Sequence, residues 1–286
     1  MKALISVDME GISGIVHSSE TNPERYDYQR GRELMTAEAN AVIAGVLDAE
    51  PTADVLVADA HGTFRNLLPE QLDRRARLVR GKPRALNMLA GLDEETDAAL
   101  FVGYHVRAGE GPGVLAHTMN GEILDVRVTG QAPGEHGATT DRSLGEIGLN
   151  AAMAGHLGVP VVLLSGDDAA CAKAAELIPA AVTVPVKEAL GMAAAVTLHP
   201  EEARDRLRRA AADAVSRRTE IPPLVLTGPL DVEVDLASPH TVDLATLVPG
   251  VSRTAGARTV TFTAPDYGTA YRLILLLAQL ATIRPA

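Results

Sequence analysis

Short, nearly continuous apolar runs recur along the first two-thirds of the chain, separated by longer stretches of helical spacing. Residues 2–7, 54–58, 98–103 and 159–165 are such runs, rich in β-branched residues, and predict strands. Residues 27–50, a stretch around 85–92 and residues 144–157 carry helical spacing. Strands that are apolar on both faces and alternate with helices predict a mostly parallel sheet covered on both sides, with right-handed crossovers. The expected fold class is therefore α/β, a three-layer, doubly wound, mostly parallel sheet.

Near Val186 the pattern changes. Residues 199–218 form an Arg-rich helical stretch with Pro200 in its first turn, where proline is tolerated. Residues 224–236 and 258–263 read as strands, the first alternating Asp231, Glu233 and Asp235 with Val232, Val234 and Leu236, as a half-exposed strand does. Residues 265–283 read as a closing helix. This division predicts an α/β domain over residues 1–186 and a smaller α+β domain over 187–286. Residues 129–142, with Gly130, Pro133, Gly134 and Gly137, lack apolar periodicity and read as an exposed loop.

Composition narrows the class. The chain has 286 residues, 47% hydrophobic and 22% charged, the balance of a globular protein with a substantial core. With 26 basic and 37 acidic residues the net charge is −11, and only Lys2, Lys82, Lys173 and Lys187 are lysines. Nucleic acid, which rewards clustered basic residues, is an unsuitable partner. The longest apolar stretch, residues 273–283, falls short of the ~20 residues a membrane span needs. The apolar run after Lys2 ends at Asp8, too soon for a signal-peptide core, so a cytoplasmic protein without membrane contact is expected. Cys171 is a single cysteine in an alanine-rich helical setting and forms no internal disulfide.

Chemistry collects where the strands end. The first run is followed by Asp8-Met9-Glu10, the second by Asp59-Ala60-His61, the third by Tyr104-His105 and the fourth by Gly166-Asp167-Asp168. Side chains two apart on extended backbone face the same way, so Asp8 can converge with Glu10, and Asp59 with His61. Ligands of open α/β sheets bind beyond the carboxyl ends of the strands. Carboxylates and imidazoles meeting there suit zinc, with manganese or iron as substitutes. Plainer roles compete. Asp168 reads as a helix cap, and Asp59 as a cap or as a partner orienting a ligand histidine. Glu146 completes a Ser143-x-x-Glu146 capping box. His117 is either an acid/base group or an exposed side chain, while His17, His136, His156, His199 and His240 read as surface residues. The residues alone lead to a metal hydrolase. Among hydrolases a phosphoesterase or amidohydrolase stays open, with Arg107 the one arginine placed for phosphate.

The opening Ser6-Val7-Asp8-Met9-Glu10-Gly11-Ile12-Ser13-Gly14 resembles the zinc-dependent D-aminopeptidases, long labelled dipeptide-transport proteins. The likeness continues at Tyr28-Gln29-Arg30-Gly31-Arg32, Asp59-Ala60-His61-Gly62, Gly103-Tyr104-His105-Val106-Arg107-Ala108, Ala116-His117-Thr118-Met119, Gly145-Glu146-Ile147-Gly148-Leu149-Asn150 and Gly166-Asp167-Asp168. The resemblance implies two zinc ions per subunit, held by Asp8, Glu10, His61, His105 and Glu146, with Asp8 as the bridge. It puts the catalytic histidine at His117. It also implies short peptide substrates with N-terminal D-residues, such as D-Ala-D-Ala, and a ring-shaped homo-oligomer, a decamer; the older label keeps a non-catalytic peptide-binding protein open as the alternative. Asp59 and Asp168 are candidates for holding the substrate amine. Residues 129–142 depart from the family pattern as an insertion before Glu146, open to three readings: a narrower substrate entrance, altered ring packing, or a disordered segment.

Overall fold

Buried hydrogen-bonded backbone needs apolar cover on both sides, and the four apolar runs find it at the centre of one sheet. The structure, a computed structural model, describes residues 1–131 and 139–283. Its strands are β1 (Lys2–Val7), β2 (Asp54–Asp59), β3 (Arg77–Val79), β4 (Ala98–Tyr104), β5 (Ile123–Gln131), β6 (Thr139–Ser143), β7 (Val161–Asp167), β8 (Val182–Gly191), β9 (Ala194–Thr197), β10 (Thr227–Leu236), β11 (Ser252–Arg253) and β12 (Thr259–Ala264). The helices are α1 (Ser18–Thr21), α2 (Tyr28–Ala49), α3 (Glu146–His156), α4 (Asp168–Leu177), α5 (Pro200–Ser216), α6 (Pro239–Ala245) and α7 (Tyr267–Leu280). None of the described helices is long and apolar enough to cross a membrane.

The first sheet has the order β3-β2-β1-β4-β7-β8-β9. Every pairing from β3 to β8 is parallel, and β9 closes the edge antiparallel to β8. From β1 the chain builds outward to β2 and β3, then returns to the other side of β1 as β4. Strand order therefore reverses between β1 and β4, the place where open α/β sheets form their binding crevice. Val7 is in register with Asp59 on one side and Val102 on the other, so the three strands end almost level.

Alternation along β1 assigns the two faces. Ala3, Ile5 and Val7 pack with α2 and α5, while Leu4 packs with Phe101, Tyr104 and helices α3, α4 and α7. The second sheet, β11-β12-β10-β5-β6, is antiparallel and lies against the latter side. Its inward residues Val126, Val128, Val232, Val234, Val260 and Phe262 join the same buried cluster as Phe101 and Tyr104. A polar chain crosses this cluster: Ser6 Oγ lies 2.8 Å from Tyr104 Oη, Asn150 Nδ2 donates to Tyr104 Oη at 3.2 Å, and Tyr271 Oη donates to Asn150 Oδ1 at 2.7 Å. Four elements, β1, β4, α3 and α7, are thereby fixed relative to one another.

The fold is α/β, as the apolar runs predict, with a second sheet beside the first. The division expected near residue 186 falls inside β8, α5 packs on α2 over the first sheet, and the second sheet takes β5 and β6 from the middle of the chain. The expected loop at 129–142 is corrected at both ends. Residues 129–131 continue β5 and residues 139–143 form β6, paired as Arg127↔Ser143 and Thr129↔Asp141. A strand at the edge of a sheet pairs on one side only and needs no apolar period, which is why this one resembled a loop. Residues 132–138, the centre of the expected insertion, lie outside the described residues. The helix expected around 85–92 is a single 3₁₀ turn, Asn87–Leu89, whose first residue has φ 48°.

Where the turn after β1 crosses the end of β4, two backbones touch. Gly11 N–H donates to Gly103 O at 2.8 Å, and a Cβ on Gly11 would lie 2.2 Å from Tyr104 O and 2.5 Å from Gly103 C. Both obstacles are backbone and cannot rotate away. G11A is expected to destabilise the protein by about 1–3 kcal/mol in urea denaturation, the range for an overpacked site. G121A is the control: its added Cβ would meet nothing within 4 Å, and its shift should stay within about 0.5 kcal/mol.

Candidate metal centre

The level strand ends deliver their side chains to one crevice. Asp8 and Glu10 come from the turn after β1, His61 from the turn after β2, and His105 directly follows β4. His117 lies in the connection from β4 to β5, and Glu146 is the first residue of α3, behind the N-cap Gly145. His61 Nδ1 is 2.9 Å from Glu10 Oε2 and 3.4 Å from Asp8 Oδ1. His105 Nε2 is 3.5 Å from Asp8 Oδ2 and 3.7 Å from Glu146 Oε1. His117 Nε2 is 3.9 Å from Glu146 Oε1, and its ring stacks on that of His105 with centroids 4.2 Å apart. All six residues singled out in the sequence thus meet.

Each imidazole is tethered on its far side. His61 Nε2 donates to Thr21 O at 3.0 Å, His105 Nδ1 to Val106 O at 2.9 Å and His117 Nδ1 to Leu115 O at 2.8 Å. A carbonyl can only accept, so a neutral ring spends its one N–H there and turns a lone pair toward the carboxylates. Acceptor then faces acceptor, which requires a positive centre between them, either a proton or a metal ion. Backbone tethers of this kind orient metal-binding histidines. Asp8 Oδ2 and His105 Nε2 are also buried without a hydrogen-bond partner, as donor atoms reserved for a cation would be. Two overlapping sets, Asp8–Glu10–His105 and His105–His117–Glu146, each bring three ligand atoms within 4.8 Å of one another. The donor set of carboxylate oxygens and imidazole nitrogens fits divalent transition metals, zinc among them.

Charge balance reinforces the fit. Asp8, Glu10 and Glu146 are all buried. Burial, and next the charge of Glu10, push the Asp8 carboxyl up. For Glu10, burial acts upward but the charge of His61 prevails and holds it well below the usual carboxylate range. Burial opposes the charge on His105, yet Glu146 and Asp8 raise its pKa to about 10. His61 is likewise raised well above its ordinary value, against burial, by Glu10 and Asp8. Without a metal the crevice therefore favours protons on His61 and His105.

Other expectations resolve differently. Glu146 closes no capping box: Oε1 accepts the Met119 N–H at 2.6 Å, while Ser143 Oγ donates to Asp125. The cap of α4 is Asp167, which accepts from Ala170 N, and not Asp168, which accepts from Ala189 N. Asp59 accepts Asn66 N, Leu67 N and Asn66 Nδ2, ordering the turn that carries His61. Neither Asp59 nor Asp168 lines the cavity of about 110 Å³ bounded by Asp8, His61, His117, Met119 and Glu146. Arg107 is engaged by Ala108 O, Glu110 and Asp125, away from a phosphate role at the centre. His17 and His199 cap α1 and α5. His136 lies outside the described residues.

One contributor escaped the sequence reading. Lys187 of β8 is buried, and its ammonium donates to Glu10 O at 2.5 Å, Ile12 O at 3.0 Å and Ile15 O at 2.6 Å. Burial lowers its pKa to about 8, which leaves it protonated at neutral pH with three hydrogens for three carbonyls. It staples the turn that carries Asp8 and Glu10. The available signal was a lone lysine closing an apolar strand in a chain with four lysines.

An open α/β sheet with buried carboxylates and tethered imidazoles at its switch point defines a metal-dependent hydrolase. A family described as D-aminopeptidase matches residues 1–276. The D-aminopeptidase of Bacillus subtilis (strain 168) is 38% identical over 281 residues, covering 98% of each chain. A solved structure described as the Zn-dependent D-aminopeptidase DppA from Bacillus subtilis, a self-compartmentalizing protease, matches with a TM-score of 0.92 at 35% identity over 100% of both chains. The chain belongs to the D-aminopeptidase family of peptidases.

Since His61 and His105 hold protons at pH 7 in the metal-free crevice, a divalent cation must displace them. Calorimetric titration in two buffers of different ionisation enthalpy should reveal release of about one proton or more per bound ion. Affinity should weaken as pH falls. Identical enthalpies in both buffers would contradict this charge balance.

Proposed function

We propose that this chain is a two-zinc aminopeptidase that removes an N-terminal D-residue from short peptides such as D-Ala-D-Ala. In this reading Asp8, Glu10, His61, His105 and Glu146 would hold the two zinc ions, and His117 handles the proton. The observation that carries it is the buried approach of Asp8 Oδ2 to His105 Nε2, 3.5 Å apart, with neither atom hydrogen-bonded. Membership of the D-aminopeptidase family and a solved relative described as Zn-dependent support the activity and the metal.

The chemistry supplied by the metal pair is polarisation of the scissile carbonyl and activation of a water. The protein's part is orientation and proton transfer. Burial of Asp8, Glu10, His105 and Glu146 keeps bulk solvent from their charges and so strengthens the local field. His117 is more open to the cavity than His105, with side-chain exposures of 28% and 1%. Its Nδ1–H is held by Leu115 O, so Nε2 is the atom that takes a proton from the attacking water and returns it to the leaving amine. Glu146 Oε1 lies 3.9 Å from that nitrogen. Since the solved relative is described as self-compartmentalizing, we extend to this chain a closed homo-oligomeric ring, a decamer, that admits only short peptides.

The set His105–His117–Glu146 favours a second reading in which His117 is itself a ligand. H117A separates the two. It should lower kcat for D-Ala-D-Ala by about 10²–10⁴-fold while metal analysis still finds two ions per chain; loss of one ion would make His117 a ligand. Chelation should abolish hydrolysis of D-Ala-D-Ala and zinc should restore it. Turnover that persists in chelator, or that occurs only with L-Ala-L-Ala, would refute the proposed activity.

A further inference from the structure

Of the four lysines, three are already committed. Lys2 pairs with Asp93, Lys173 with Glu110 and Glu176, and Lys187 with its three carbonyls. Lys82 is exposed, and among the described residues no carboxylate lies within ion-pair distance of its ammonium. It follows β3, donates to Gly62 O at 3.0 Å and sits 5.6 Å from the centroid of the Phe64 ring. Gly62 is the neighbour of His61, so this cation is tied to the turn that carries a candidate ligand. Arg84 close by is unavailable: its guanidinium donates to Asn87 O, Val79 O and Asp59 O and lies 4.0 Å over Phe64.

Lys82 also stands at a junction. Together with Asn87 and Gln279 it lines both the cavity of the metal centre and an adjoining cavity of about 370 Å³ that includes Pro83, Arg84 and Leu275. Histidines apart, it is the single cationic side chain on the wall of the first cavity among the described residues. We propose that Lys82 binds the free C-terminal carboxylate of the substrate, making the centre selective for peptides that end one residue beyond the scissile bond. This rests on the peptidase reading above. An exposed ammonium that spends one hydrogen on Gly62 O keeps two for a charge-assisted contact with a peptide's terminal carboxylate at the rim. A dipeptide whose scissile carbonyl sits at the centre carries its carboxylate on the leaving residue, at the rim. Longer peptides have a neutral amide at that point and lose the contact.

The test compares D-Ala-D-Ala with its C-terminal amide, D-Ala-D-Ala-NH₂, on the zinc-loaded protein and on K82M. Wild type should favour the acid in kcat/KM by about 10- to 100-fold, the scale of a charge-assisted hydrogen bond, with the difference chiefly in KM. In K82M the ratio should fall toward one, and K82R should restore part of it. Lys82 is exposed, so the fold should tolerate both substitutions; should K82M fail to fold, K82Q is measured in its place with the same expected fall in the ratio. Equal rates for acid and amide in wild type, or an undiminished ratio in K82M, would overturn the carboxylate anchor while leaving the peptidase intact. Hydrolysis of neither substrate would overturn both.

Discussion

Hydrogen-bond acceptors are set against hydrogen-bond acceptors in a buried crevice, and the surrounding structure holds them there. Asp8, Glu10 and Glu146 are buried close together, where like charges oppose one another. Three backbone carbonyls pin the far nitrogens of His61, His105 and His117, and three more, those of Glu10, Ile12 and Ile15, gather on Lys187. Glu38 of α2 adds a further hold, its Oε1 accepting the Ser13 N–H at 2.8 Å, with burial pushing its carboxyl up to about 7. The unfavourable convergence is thus supported mainly by main chain, which moves less easily than side chains.

The polar chain through the core has the same effect from below. Asn150 sits one helical turn beyond Glu146 on α3 and bonds both Tyr104 and Tyr271. The helix that presents Glu146 is therefore locked to the strand that presents His105 and to α7. Asn120 Nδ2 donates to Ala278 O, and α7 also contributes Gln279 to the cavity wall. Residues distant in sequence share one rigid frame around the centre.

How much of this could be read from the chain follows from which signals are local. A parallel strand must be apolar on both faces, so β1, β2, β4 and β7 stand out, and the polar residues that end them stand out with them. α2 and α5 emerge to within a few residues, the latter from Pro200 and its arginines. Pairing between remote segments leaves no such trace. Nothing in residues 123–143 announces that β5 will lie beside β10, a hundred residues later, and the polar sequence of β6 does not name its partner strand. The capping box at Ser143 is a sound local motif that loses to tertiary demand, because Asp125 claims the serine and Met119 claims Glu146. Placing the cap on Asp168 missed by one residue, within the usual scatter of helix ends. Lys187 was invisible for the most general reason: its three acceptors lie more than 170 positions earlier.

The close contact between the turn after β1 and the end of β4 carries a geometric consequence. Adjacent strands in a sheet stand about 4.8 Å apart, a spacing set by the hydrogen-bond ladder. Asp8 N–H donates to Val102 O at 2.8 Å, so the rung nearest the crevice belongs to that ladder. The gauge of the centre is thus cut by the backbone. Ions of unequal radius can be fitted only by rotating carboxylates and rings, since the strands that bear them cannot widen without unzipping.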